Sequence, residues 1–127
     1  MRNCDTIIIH HTATPASMDI GVEFIREIHT QDNGWAEIGY HFVIRMNGTV
    51  ETGRDIGQRG AHAKGHNLAS IGLALVGTGP DFTRQQWRAL EEQVILLTAQ
   101  YGISDIIGHQ DVKNTKCPGF NVRHWWG

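Results

Sequence analysis

The sequence is poor in several things, and each shortage narrows what the chain can be. Two cysteines in 127 residues do not make the disulfide framework of a small secreted scaffold, so Cys4 and Cys117 are expected free or metal-bound rather than paired in a reducing compartment. No charge of one sign dominates. Eleven Lys and Arg stand against 13 Asp and Glu, a formal net charge of −2, which gives no electrostatic footprint for nucleic acid. No apolar run approaches the roughly 18 residues of a membrane span, so no insertion into a bilayer is expected. The opening Met1-Arg-Asn-Cys-Asp leads into only three isoleucines before two histidines, without the longer apolar core of a secretory signal. Synthesis in a cytoplasm follows as the expectation.

What remains is an ordinary globular composition, 40% hydrophobic and 19% charged, of a length that suits one domain over residues 1–127. Thr6-Ile-Ile-Ile-His10 reads as a short buried strand with histidines at its C-terminal end. Val22, Ile25, Ile28 and His29 recur at helical spacing, which predicts a helix from about Ile20 to Gln31 with Ser17 or Asp19 available as its cap. Gly39 to Ile44 and Thr49 to Glu51 flank Asn47-Gly48, a hairpin pattern. Thr52 to Asn67 is glycine-rich without sustained period and reads as a long loop of the kind that carries function. Ser70 to Val76 is a second buried strand. Thr83 with Gln86 three residues later opens a helix by a capping box, the stripe Trp87, Leu90, Val94, Leu97 and Tyr101 carries it, and Gly102 stops it. Asp105 to Ile107 makes a last strand. The order β-α-β-β-β-α-β predicts an α/β fold, a central mixed sheet flanked by helices.

Two places in this order concentrate metal-binding side chains. The first strand ends in His10-His11, and the last delivers His109, with Cys117 eight residues further on. Imidazole nitrogen and thiolate sulfur suit Zn²⁺, and three such ligands with a fourth position left to water describe a catalytic rather than a structural site. His10 and His11 point to opposite faces of a strand, and periodicity alone does not choose between them. His29 on the helix, His66 in the loop and His124 in the terminal segment read as packed or solvated residues. Asn67 and Ser70 read as organisers of the loop.

The motifs Ile9-His10-His11-Thr12-Ala13-Thr14, Gly39-Tyr40-His41-Phe42, Asn47 to Arg54, Gly60-Ala61-His62-Ala63-Lys64-Gly65-His66-Asn67, Ser70-Ile71-Gly72 and Gly108-His109 through Cys117-Pro118-Gly119 follow one another along nearly the whole chain. In this order the chain resembles the type 2 N-acetylmuramoyl-L-alanine amidases, zinc hydrolases that include phage lysozymes and the peptidoglycan recognition proteins. The short form ending in Trp125-Trp126 looks most like a phage or prophage lysozyme. The resemblance implies a peptidoglycan recognition protein-like fold, with His10, His109 and Cys117 as zinc ligands and Tyr40 at the catalytic tyrosine position. Position 115, lysine in some members and threonine in others, is Thr115 here with Lys116 beside it, and either could contact the reacting carbonyl. His62 is expected to contact the muramyl or peptide part of the substrate, or else to be an exposed loop residue.

The activity so implied is zinc-dependent hydrolysis of the amide between N-acetylmuramic acid and L-alanine, by a monomer made in a host cytoplasm and acting on the bacterial cell wall. A polymeric substrate calls for an open groove, expected between the Gly53 to Asn67 loop and the region of Trp35. The competing reading is a peptidoglycan-binding module of the same fold without turnover. Cys117 weighs against it, because members of the family that lack the cysteine usually bind cell-wall fragments without cleaving them, or use aspartate instead.

Overall fold

A computed structural model describes residues 2–35 and 37–127. Five strands form one sheet in the order β3-β2-β4-β1-β5, where β1 is Thr6–His11, β2 Phe42–Ile44, β3 Val50–Thr52, β4 Ser70–Leu75 and β5 Asp105–Gly108. β1 pairs in parallel with both β4 and β5, β2 runs parallel to β4, and β3 closes the edge antiparallel to β2 across the Asn47-Gly48 turn. The sheet is mixed, as the element order predicts.

β1 is flanked on both sides, which is why it reads as an unbroken isoleucine run rather than an alternating one. Ile7 and Ile9 pack with Ile71, Leu73, Leu75 and Ile106 against Leu90, Val94 and Leu97 of helix α2 (Arg84–Tyr101). Ile8 faces the other way and packs with Ala63 and Ile107. α2 begins as its sequence predicts: the Thr83 hydroxyl accepts the Gln86 N–H and the Gln86 side chain returns to the Thr83 N–H. It ends at Gly102, whose φ of 63° suits a residue without Cβ.

Two local readings are corrected. The first helix, α1, spans Val22–Glu27 and continues as a π-helical turn over Ile28–Asp32. Neither Ser17 nor Asp19 caps it. Instead the Val22 N–H donates to Oε1 of Glu51 on β3 at 2.9 Å, so a tertiary contact does what a local residue was expected to do. Strand character in the Gly39 to Ile44 stretch is confined to Phe42–Ile44. A short C-terminal helix, α3 (Val122–Trp126), has no apolar period long enough to announce it. The Asn121 side chain caps it by accepting the His124 N–H, and Trp125 stacks into an aromatic group with Phe82, Trp87 and Phe120. Among the described residues no helix is long and apolar enough to cross a membrane.

Candidate metal centre and active-site groove

β1 and β5 are parallel neighbours, so their C-terminal ends lie side by side, and the side chains they deliver there meet. His10, buried on β1, stacks at 4.4 Å between ring centroids on His109, the first residue after β5. From His109 the chain makes a single 3₁₀ turn, His109–Asp111, in which the Asp111 carboxylate accepts the Gly108 N–H. The loop then closes through the Gln110 N–H, which donates to the Cys117 carbonyl at 2.8 Å. That bond carries the thiol back beneath His109. One ligand atom from each of His10, His109 and Cys117 lies within 4.8 Å of the others.

The chemistry of this trio suits a divalent metal such as zinc. Burial and the neighbouring imidazoles of His62 and His109 hold His10 well below the ordinary histidine range; burial and the Lys113 ammonium lower His109 in the same direction. Both imidazoles are therefore neutral near pH 7 and offer lone pairs. Burial pushes the Cys117 thiol up to about 11, opposed by the His11 N–H and by Lys113. A coordinated cation reverses such a balance, because a thiol bound to metal is deprotonated outright. The sulfur already accepts the His11 backbone N–H at 3.3 Å. Cys4 is buried at the opposite end of β1 and free, like Cys117.

The alternation that left His10 and His11 undecided is resolved by the fold. His10 turns toward His109 and Cys117, whereas the His11 ring accepts the Gly79 N–H at its Nδ1, 3.0 Å away. Tyr40 lies against the trio, its ring centroid 5.1 Å from that of His10 and 5.5 Å from that of His29. Burial, with a smaller contribution from Cys117, raises the Tyr40 phenol well above its ordinary range. It stays protonated and able to donate. His29, set aside in the sequence, sits on the π-helical turn, accepts the Gly39 N–H at 2.9 Å and packs edge-on to Trp35 at 4.7 Å.

His62 is neither an exposed loop histidine nor free to turn into solvent. It is 8% exposed and lies at the floor of the groove. Its Nδ1 is 2.9 Å from His10 Nε2 and its Nε2 is 3.3 Å from Ser70 Oγ. Burial, with the nearby charges of other histidines and arginines, brings it down to about 3. Asn67 organises the loop as expected, its Oδ1 accepting the N–H groups of both His62 and Ala63. The exposed His66 and His124 are as the sequence suggests.

An open groove of about 740 Å³ runs over this floor, lined among others by Trp35, Arg54, Arg59, Lys64, His109 and Lys113. Its walls are the loop following β3 and the neighbourhood of Trp35, as predicted. Arg54 is spent on holding the wall together, donating to the carbonyls of Ile38, Arg59 and Glu37. Arg2 does the same from the chain start, donating to the carbonyls of Ile56 and Ser70. Thr115 and Lys116 are not among the residues lining the groove. Thr115 is half-buried and its hydroxyl accepts the Cys117 N–H at 3.3 Å, whereas Lys116 is exposed. The sequence reading missed Lys113, which reaches the groove from a loop where no periodicity could have marked it.

Comparison with known proteins agrees with this geometry. The profile of the N-acetylmuramoyl-L-alanine amidase family matches residues 1–120. An endolysin of Klebsiella phage KP32 is 42% identical over 127 residues, covering 94% of this chain and 83% of the relative. Among solved structures, the N-acetylmuramoyl-L-alanine amidase LysC from Clostridium intestinale superposes with a TM-score of 0.88 at 37% identity, over 98% of this chain and 83% of that one. A mutant of Drosophila PGRP-LB in complex with tracheal cytotoxin superposes with a TM-score of 0.84 at 27% identity, over 96% of this chain and 79% of that one. The strands that bring an imidazole pair to a thiol below an open groove are thus those of the N-acetylmuramoyl-L-alanine amidase family, to which this chain belongs.

Proposed function

We propose that this protein is a zinc-dependent endolysin that hydrolyses the amide bond between N-acetylmuramic acid and L-alanine in peptidoglycan. The observation that carries the proposal is the convergence of ligand atoms of His10, His109 and Cys117 within 4.8 Å of one another, with His109 lining an open groove. Zinc held by two neutral imidazoles and one thiolate would supply a Lewis acid of net charge +1 and lower the pKa of water toward neutrality.

The chain's own residues supply the rest. Tyr40, protonated and beside His10, donates a hydrogen bond that orients the attacking water and assists transfer of its proton. Of the two candidate donors for the developing oxyanion, the reading favours the Thr115 hydroxyl, which lies beside Cys117, over the exposed Lys116. As water oxygen bonds to the carbonyl carbon, the C–N bond breaks and the proton goes to the amine of the departing L-alanine. Arg59, Lys64 and Lys113 bring positive charge to the groove, and among the described residues no acidic side chain lines it. That suits a stem peptide bearing carboxylates, and Trp35 offers an aromatic face to the sugar. His62, at the groove floor, lies where substrate would pass over it. The same reading makes residues 1–127 one catalytic domain, monomeric and with no nucleic-acid partner, acting at the bacterial wall after synthesis in the host cytoplasm.

Mass spectrometry of digested peptidoglycan tests the proposal. Release of intact stem peptides with a free L-alanine amine, lost with a chelator and restored by zinc, is the expected result. Binding without release would favour the peptidoglycan-binding module, and release unaffected by metal removal would overturn the zinc mechanism.

A further inference from the structure

The His62 ring occupies space that two glycines leave for it. A Cβ at Gly72 would stand 2.4 to 2.8 Å from three atoms of that ring, and one at Gly60 would stand 2.6 Å from its Cδ2. With Asn67 fixing the backbone on either side, the imidazole has one seat, and in it both nitrogens are engaged. Nδ1 meets His10 Nε2 at 2.9 Å, Nε2 meets Ser70 Oγ at 3.3 Å, and Ser70 Oγ is 2.6 Å from the His66 carbonyl oxygen.

The far end of this chain fixes the direction of every bond in it. A carbonyl oxygen only accepts, so Ser70 gives its one hydroxyl hydrogen to His66 and must accept from His62 Nε2–H. The Nδ1 of His62 then carries a lone pair and accepts from His10 Nε2–H. His10 is left with its lone pair on Nδ1, the nitrogen 3.9 Å from Cys117 Sγ.

We infer that His62 is a positioning residue for the metal centre: it holds His10 in the Nε2–H tautomer and aims Nδ1 at the ion, while Ser70 fixes the tautomer of His62 in turn. The inference rests on the zinc reading above. It gives His62 work in the protein rather than on the substrate. Partners that orient a ligating histidine in this way are worth about 10- to 100-fold in metal affinity.

Zinc affinity, measured by competition with a chromophoric chelator, and the ring tautomers, read from long-range ¹H–¹⁵N spectra of the metal-free protein, test it together. The wild type should show both His10 and His62 protonated at Nε2. His62→Leu, which keeps bulk but loses the acceptor, should weaken zinc binding by about 10- to 100-fold. His62→Asn, whose Oδ1 takes roughly the place of Nδ1, should retain most of the affinity, and Ser70→Ala should lose less than His62→Leu. A purely structural role would move the melting temperature without moving the His10 tautomer. The inference is overturned if His62→Leu binds zinc as the wild type does, or if wild-type His10 is protonated at Nδ1. Should His62→Leu fail to fold, the wild-type spectrum and His62→Asn decide. Failure of the wild type to take up zinc would instead bring down the zinc reading and this inference with it.

Discussion

The two faces of the central sheet carry alternate residues of the same strands. Toward α2, β1 and β4 present Ile7, Ile9, Ile71, Leu73 and Leu75, all fully buried and filled in by Leu90, Val94 and Leu97. Toward the groove the same strands present Ile8 and His10, then Ser70, Gly72 and Ala74. The first face is packed with branched aliphatic side chains. The second is a row of small residues on β4 beside a histidine on β1, and the room so left is taken by the His62 ring. Stability and chemistry are thus separated by the pleat of the sheet, within one set of strands.

Substitutions on opposite faces should therefore fail in different ways. Cys117→Ser is expected to lower peptidoglycan hydrolysis by at least about 10³-fold, with little change in the melting of the metal-free protein. Leu90→Ala should do the reverse, costing about 2–5 kcal/mol of stability while the folded fraction keeps its kcat. A dye-release assay paired with thermal denaturation separates the two, and a Cys117→Ser protein of normal activity would dissolve the distinction. Tyr40→Phe comes next, with kcat reduced by about 10²-fold or more and zinc content unchanged; full activity in that variant would remove Tyr40 from the chemistry. Gly72→Ala puts a methyl group against the His62 ring and should cost about 1–3 kcal/mol, measured by chemical denaturation, together with weakened zinc binding.

Titration sharpens the same contrast, because the neutral buried histidines lie on the groove side. His41, whose Nδ1 accepts the Gly72 N–H and whose Nε2 donates to the Gln58 carbonyl, is brought by burial down to about 4, and His62 to about 3. In the unfolded chain both return to about 6.5. The unfolded state then binds more protons between these values, so the stability contributed by the neutral forms is present above about pH 6.5 and is lost as pH falls toward 4 and below. Each group steepens the fall by at most about 1.4 kcal/mol per pH unit. Denaturation of the metal-free protein across this range should show it, and His41→Gln should flatten the slope.

The helix-facing half of the molecule was legible in the sequence because packing leaves a period. The isoleucine run gave β1, the stripe from Trp87 to Tyr101 gave α2, and the capping box gave its first residue. The groove half was legible only through residue chemistry and resemblance. The α1 cap was misread because its acceptor, Glu51, comes from 29 positions away. His62 looked like a loop residue because nothing local reveals that Gly60 and Gly72 vacate a seat for it. Periodicity could not choose between His10 and His11, since flanking isoleucines give both faces of the strand the same appearance; only the resemblance pointed to His10, and the fold turns that ring toward His109.

The smallest expected effect concerns the cations near the site, where sequence and structure point to different lysines. Proximity in sequence to Cys117 favours Lys116, but that side chain is exposed and outside the groove, while Lys113 lines it beside His109. A solvated cation contributes at most about 1 kcal/mol to a contact, so Lys113→Gln should raise KM about fivefold or less, with kcat nearly intact. The effect should shrink as added salt shortens the range of the attraction. Lys116→Gln should leave both constants close to wild type. If Lys116→Gln instead lowered kcat while Thr115→Val did not, the oxyanion donor would be the lysine, and the loop would have to turn Lys116 inward when substrate binds.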